Sequence, residues 1–560
     1  MQIDTQITLV FLHGILQTHS IKEEIMLISL YSRSLRGRLR FRFDSRNQLI
    51  ISFPPCNLHL RRPHFWKVFD TLKFKLKSLA SKSSTTYGPP SYPILGCLLS
   101  FYKNQNRILD WYTDLLSISP TKTISVKRLG ARRTIVTANP DNVEYILKTH
   151  FRNFPKGKPF TELLGDLLGF GIFNADDELW STQRKLASHE FSTKSLRDFV
   201  VKTLEDEVRD RLIPILESAA ESNKVLDLQD VLRRLAFDGI CRVALGIDPC
   251  ALDLSSPLPV LAKAIETASE ISAKRATQPL YLVWKIKRAL NLGSEKKLKE
   301  SIAIVHGLVS EIILTKRQTA CENRDLLSRL VLAGYDEQVI RDMVISFIIA
   351  GRDTTSSALT WLLWLLTKHR NKEELIVKEV NHVLENQKAL DFEALKELRF
   401  LHACLCESMR LYPPVAWDSK HAATDDILPD GTKVRKGDRV TYFPYGMGKM
   451  EELWGKDRFE FKPDRWFDEP GGADIGGELK YVSPYKYPVF QAGPRVCIGK
   501  EMAFIQMKYV VADILRRFEI KPVFEVDEPV YIPLFTAEMA GGFKVMIKKR
   551  SGCYDSMTSA

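Results

Sequence analysis

The 560-residue sequence has no C-x-x-C pair, and its nine cysteines are odd in number. Neither a zinc ribbon nor a secreted disulfide framework fits that count, so a reducing compartment is expected. Zinc-finger, P-loop and RNA-binding motifs are absent, and so are internal repeats. The first residues carry no basic stretch ahead of an apolar one, so a signal peptide is not expected. Their apolar run, Ile7 to Leu16, is half of the roughly twenty residues that span a bilayer. Acidic residues are scarce only at the start. Residues 1 to 82 hold 14 Lys+Arg against 5 Asp+Glu, a net of +9, and the whole chain carries +13. The remaining 478 residues therefore carry +4, too nearly balanced for a nucleic-acid enzyme with a basic surface across its folded body.

What is present belongs to a globular protein with a large core: 45% hydrophobic residues, 27% charged, 29 Gly and 27 Pro. Residues 1–82 form an atypical basic segment, Arg-dense from Tyr31 to Arg46, which suits a solvated surface and a targeting role equally. Lys82 to Ser91, with Gly88, Pro89 and Pro90, reads as a linker that forbids helix. Residues 83–550 then read as one domain, and 551–560 as a tail. Apolar residues at three-to-four spacing predict helices over Ser195–Ser222, Asp227–Gly246, Glu295–Lys316, Gln338–Lys368, Asn371–Gln387 and Lys500–Arg517. Strands are expected at Thr123–Arg128, Arg133–Ala138, Arg439–Phe443 and around Gly541-Gly542. The fold class is mainly α with small β-sheets.

Four motifs carry chemistry. Phe490-Gln-Ala-Gly493-Pro-Arg495-Val-Cys497-Ile-Gly499 sets a cysteine at the mouth of a helix, where backbone N–H groups and the helix dipole favour its thiolate. An anionic metal ligand needs that setting, and the five fixed letters arise by chance on the order of 10⁻⁴ times in such a chain. The long helix Gln338–Lys368 is interrupted by Ala350-Gly351-Arg352-Asp353-Thr354-Thr355, poor residues for a helix interior, so its hydrogen-bond ladder is expected to open there. Trp180 and Arg184, spaced i, i+4, can point an indole N–H and a guanidinium at one shared anion. Glu407 and Arg410, at i, i+3, are by themselves a common surface pair.

The cysteine pattern resembles the haem-binding loop of the cytochromes P450, and the other motifs match that family in turn. The resemblance implies the cytochrome P450 fold, a bound haem b, and Cys497 as the thiolate ligand of its iron. It implies that Asp353 and Thr354 deliver protons during oxygen activation, and that Trp180, Arg184 and Arg495 meet haem propionates, with Lys420 as a further contact. Glu407, Arg410 and Arg465, the last from Phe461-Lys-Pro463-Asp-Arg465-Trp466, would form a buried structural triad.

From about Ser84 to Arg550 the text is similar to plant P450 family 94, and within it subfamily B, the jasmonoyl-isoleucine 12-hydroxylases. Tyr87–Cys97, Asn153–Phe160, Arg341–Ser356, Met409–Ala422, Thr441–Gly448 and Pro488–Phe504 carry the likeness. It implies hydroxylation of a terminal or near-terminal aliphatic carbon on a carboxylate-bearing small molecule, with fatty-acid omega-hydroxylation as the alternative. A haem-thiolate isomerase and a non-catalytic haem-binding, membrane-associated protein are the rivals of other classes. No G-x-G-x-x-G follows a strand, since Glu451 stands where a third glycine would follow Gly446 and Gly448. Electrons are thus expected from NADPH through a separate flavoprotein, the NADPH-cytochrome P450 reductase, docking near Lys486 and Lys500. The family implies the cytosolic face of the endoplasmic reticulum membrane, although residues 1–80 do not resemble its usual apolar anchor. Asn153–Phe173, Val415–Ser419 and Leu534–Met539 match substrate-contacting regions. Lys156 and Lys158 are candidate partners for a substrate carboxylate, weighed against a plain solvated loop.

Overall fold

The computed structural model describes residues 87–192, 194–318, 325–387, 389–469, 477–524 and 528–550, together with three strands near the N-terminus. The C-terminal tail 551–560 lies outside the described residues, as do most of residues 1–82. Two compact units divide the chain, Met1–Ala80 and Ser81–Ala560. In the first, β1 (Arg40–Phe43), β2 (Leu49–Phe53) and β3 (Cys56–Leu60) form an antiparallel meander where the sequence pattern gives no strand expectation.

The second unit is helical with four small sheets. Its longer helices are α1 (Ile108–Ile118), α2 (Gly157–Leu168), α3 (Asp177–Ser192), α4 (Lys194–Glu207), α5 (Ile213–Ser222) and α6 (Leu228–Leu245). They continue with α7 (Val260–Thr277), α8 (Ser294–Gln318), α9 (Glu337–Lys368), α10 (Arg370–Asn386), α11 (Arg399–Leu411) and α12 (Lys500–Arg517). Caps explain several boundaries. The Asp227 carboxylate accepts from the Asp230 N–H at the start of α6, and Gly246, at φ +64°, ends it in the left-handed conformation that glycine tolerates best. The single helix expected over Ser195–Ser222 is instead α4 and α5 joined by a π-helical turn at Val208–Leu212. Such turns insert one residue into the ladder without ending it.

The α9 helix is the axis of the core. Its apolar residues bury on all sides, from Ile340 to Leu366, because α6, α11 and α12 pack around it. Trp361 stacks on Tyr412 with ring centroids 4.3 Å apart, and Trp364 meets the same ring edge-on. The helix runs without interruption through Ala350–Thr355, so the expected opening of its ladder does not occur. Thr354 compensates locally, its hydroxyl donating to the Ala350 carbonyl at 2.6 Å.

One sheet matters for the site. β4 (Thr123–Val126), β5 (Thr134–Thr137), β7 (Asp418–His421) and β10 (Arg439–Tyr442) stand in the order β4-β5-β10-β7, with β6 the short strand Leu226–Asp227 elsewhere, and β8 and β9 forming a hairpin (Asp426–Ile427, Lys433–Val434). In β7, period-two alternation puts Asp418 and Lys420 on one face, and antiparallel pairing with β10 sets Tyr442 opposite Asp418. β11 (Phe518–Pro522) pairs with β14 (Lys544–Lys549), and β12 (Tyr531–Pro533) with β13 (Ala537–Met539), near the C-terminal end. No helix among the described residues is long and apolar enough to cross a membrane.

Candidate active site

Cys497 lies between a 3-10 turn, Gly493–Arg495, and the first turn of α12. Its backbone N–H donates to the Phe490 carbonyl at 2.8 Å, which folds the loop back on itself. Gly493 has φ +64°, and a Cβ there would strike the Leu147 carbonyl oxygen, so only glycine fits this close approach. The thiol surface is open, yet protein surrounds it closely enough that burial pushes its pKa up. The Gly499 N–H, Arg184 and Lys500 act the other way, favouring the thiolate.

A cationic cluster stands beside this loop. Arg495 donates to the Asp176 carboxylate at 2.7 Å and to the Ala175 carbonyl at 2.8 Å, and its guanidinium lies 4.5 Å from the centre of the Trp180 ring. Arg184 donates to the Val496 carbonyl at 2.6 Å, one residue from the cysteine. Lys156 donates to Asp418 at 2.6 Å, while Lys420 is 3.5 Å from the other oxygen of the same carboxylate and the Tyr442 hydroxyl donates to it at 2.7 Å. Burial acts to raise the Asp418 pKa, but Lys156 and Lys420 hold the carboxyl well below its usual range. Burial pushes Lys420 far down, with Lys156 adding to the fall and Asp418 opposing it. Buried cations outnumber the carboxylate they share, which is the charge pattern of an anion-binding site.

The residues fit haem b. Lys156 and Lys420 face Asp418, Arg495 faces Asp176, and Arg184 meets only the Val496 carbonyl, so four basic side chains stand with two carboxylates and the surplus of two matches the two propionates of that group. A soft thiolate stands beside the cluster as the iron ligand. Trp180 and Arg184, three and seven residues after Asp177, share the α3 face that meets this loop.

Asp353 and Thr354 are neighbours on α9. Burial raises the Asp353 pKa, with Glu266 adding to the rise and Arg352 and Arg233 opposing it. Its Oδ1 has no hydrogen-bond donor among the described residues, and Arg352 Nε stands 3.6 Å away. A carboxyl so placed exchanges a proton more readily than one locked in an ion pair.

The structural triad is closed on itself. Glu407 accepts from Arg410 at 2.8 Å through both oxygens, from Arg465 Nε at 2.8 Å and from the Trp466 indole at 2.9 Å. Arg410 also donates to the carbonyls of Gly448, Arg458 and Glu460, tying α11 to the segment that precedes the cysteine loop.

One sequence expectation is corrected. Lys156 is not solvated: it is buried, paired with Asp418 and lies 4.1 Å from the Phe160 ring. Only Lys158 of that pair is exposed. The sequence assigned no role in this cluster to Asp176, Asp418 or Tyr442. The alternating Asp418-Ser-Lys420 of a strand was their only local signal, and its partner Lys156 is 262 residues away. Of the two lysines near the loop, Lys500 is exposed, while Lys486 lies 4.6 Å from the Trp454 ring.

The model of the cytochrome P450 family matches residues 87–537. By structure, the haem domain of cytochrome P450DA superposes with a TM-score of 0.69, covering 83% of this chain and 98% of that one at 20% identity, which shows the shared fold. The chain belongs to the cytochrome P450 family, and it is a haem-thiolate monooxygenase that takes electrons from NADPH through a reductase. Within that family it falls in plant family 94. It is 61% identical to cytochrome P450 94B3 and 59% to 94B1, both of Arabidopsis thaliana, with 86% of this chain and 96% and 95% of theirs covered. Cytochrome P450 94A1 of Vicia sativa stands further off, at 46% over 82% of this chain and 90% of its own.

Proposed function

We propose that the protein hydroxylates a terminal or near-terminal aliphatic carbon of a carboxylate-bearing substrate, and that this substrate is jasmonoyl-isoleucine, oxidised at carbon 12. The observation that carries the reading is the greater identity to subfamily B, 59–61% over 86% of this chain, against 46% over 82% for cytochrome P450 94A1. Haem b, held by Cys497 and the propionate cluster, supplies dioxygen activation. The chain supplies the rest. One oxygen atom enters the C–H bond and the other leaves as water, so two electrons from the reductase and two protons are consumed. Asp353 passes protons toward Thr354, whose hydroxyl oxygen, while its hydrogen is given to Ala350, keeps lone pairs for an incoming donor. An isomerase working on a hydroperoxide needs no such relay, and its retention favours oxygen insertion.

The α2 helix packs Leu163, Leu164, Leu167 and Leu168 into the core and exposes Lys158 at its start. An aliphatic substrate needs an apolar pocket, with its carboxylate kept out of the low-dielectric interior. Incubation with reductase, NADPH, jasmonoyl-isoleucine and a panel of fatty acids, followed by product analysis, tests the reading. A 12-hydroxy product formed with the highest kcat/KM is expected. Preferential omega-hydroxylation of fatty acids would assign the alternative substrate class.

A further inference from the structure

The helices α4, α6, α9 and α12 line a cavity of about 40 Å³. Its wall is mainly apolar: Leu204 of α4, Leu235 and Val243 of α6, Leu359 of α9 and Val510 of α12 face it, and each is buried. Thr203, Thr355 and Gln506 add polar groups, and the Glu207 carboxylate, also on the wall, is held by Arg211 at 3.2 Å and Arg242 at 2.9 Å. Two glycines shape the space. A Cβ at Gly351 of α9 would meet Ile240 Cδ1 at 2.6 Å, so glycine there lets α9 and α6 approach closely. Gly239 of α6 differs, because a Cβ there would meet nothing within 4 Å. Glycine inside a helix is unfavourable, and packing does not require this one. Its missing side chain leaves the cavity open.

We infer that this cavity is a docking site for dioxygen, the gaseous co-substrate of the monooxygenase reaction, on its way to the haem site. The inference holds for either aliphatic substrate, since dioxygen is consumed with both.

Position, lining and size support the site. Gly351 and Thr355 flank Asp353 and Thr354 on α9, and Gln506 and Val510 belong to the helix that begins three residues after Cys497. The cavity thus lies against the two elements that carry the reactive groups. Ile240 of its wall and Ile498, next to Cys497, pack against one apolar cluster. A small apolar gas crosses such packing when side chains change rotamer, whereas an ion or a polar solute meets a desolvation penalty. The volume also selects. Pockets for organic ligands run roughly 300–1,000 Å³, so this one takes a diatomic molecule and not the organic substrate. Apolar cavities bind xenon, and dioxygen resembles that atom in being small and nonpolar.

The test uses haem-loaded wild type, Gly239→Leu, which fills the cavity, and Gly239→Ala, which fills part of it. Crystals under xenon pressure are expected to show xenon in the cavity of wild type, less of it in Gly239→Ala and none in Gly239→Leu. Stopped-flow oxygen uptake by the reduced enzymes should slow in the same order, by about threefold or more in Gly239→Leu. Affinity for jasmonoyl-isoleucine and for fatty acids, read from the haem spectrum, should stay that of wild type. If ordered water fills the cavity and excludes xenon, the inference is overturned. It is equally overturned if Gly239→Leu loses xenon yet takes up oxygen at the wild-type rate. Should Gly239→Leu fail to hold haem, Gly239→Ala decides by the same two readings: lower xenon occupancy with slower uptake supports the site, and lower occupancy with unslowed uptake contradicts it.

Discussion

Lys156 and Lys420 lean on one carboxylate, and both are almost wholly inside the protein, their side chains 8% and 1% exposed. A single Asp418 cannot satisfy two buried ammonium groups, which is why burial drives both pKa values down. Haem propionates complete the balance. Replacing Lys420 by Met keeps the apolar stem and removes one charge-assisted contact, worth about 1.5–3 kcal/mol. Haem loss from Lys420→Met to a scavenging apo-globin is therefore expected to be about tenfold faster or more, and an unchanged rate would take Lys420 out of the propionate site. At this scale the sequence is legible only where a motif is local. Cys497, Arg495, Trp180 and Arg184 stand within short patterns, and the structure brings them to one place. Lys156 carries no such pattern. Its neighbours Gly157 and Pro159 suggest a loop in water, and only the pairing across 262 residues gives it another role.

Elements were legible where apolar period and caps agree. The spacing predicts a helix over Lys500–Arg517 and the helix has those limits, since Gly499 precedes it and the strand β11 begins at Phe518. The π-turn inside Val208–Leu212 leaves no mark on the pattern, because one extra residue shifts the apolar stripe by less than its width. Ala350–Thr355 predicts a break and gives none, because packing around α9 on every side overrides weak propensities. The contact between α11 and α12 yields a pH prediction. His402 stacks on Phe504 at 4.1 Å, and burial pushes its pKa down to about 3, with Lys508 and Lys500 adding to the fall. The folded state thus holds it neutral. Its contribution to stability is intact above the ordinary value of 6.5 and is lost as pH falls from there toward about 3, because the unfolded chain takes up the proton first. Between about pH 6.5 and about pH 5 the loss is about 2 kcal/mol. His402→Phe should shrink the fall in urea-unfolding free energy between about pH 7 and about pH 5 by that amount, and an identical fall in both proteins would place the proton elsewhere.

The whole molecule divides into Met1–Ala80 and Ser81–Ala560, and every residue of the active site lies in the second unit. The scarcity of acidic residues before residue 82 marked that division in the sequence, whereas the strands β1 to β3 were illegible because Arg-rich text masks their short apolar alternation. A chain beginning at Ser81 is expected to bind haem as the full chain does, with any change confined to its partition onto membranes. Loss of haem binding on truncation would assign the first unit to the catalytic fold. At the largest scale one ligand decides the chemistry: an anionic cysteine at the mouth of α12, flanked by a surplus of cations, makes this chain a haem-thiolate oxygenase. The reduced, carbon monoxide-bound difference spectrum of wild type and Cys497→Ser tests that most directly. The account predicts the red-shifted Soret band of thiolate ligation in wild type and its loss in the variant, and persistence of the band in Cys497→Ser would contradict it.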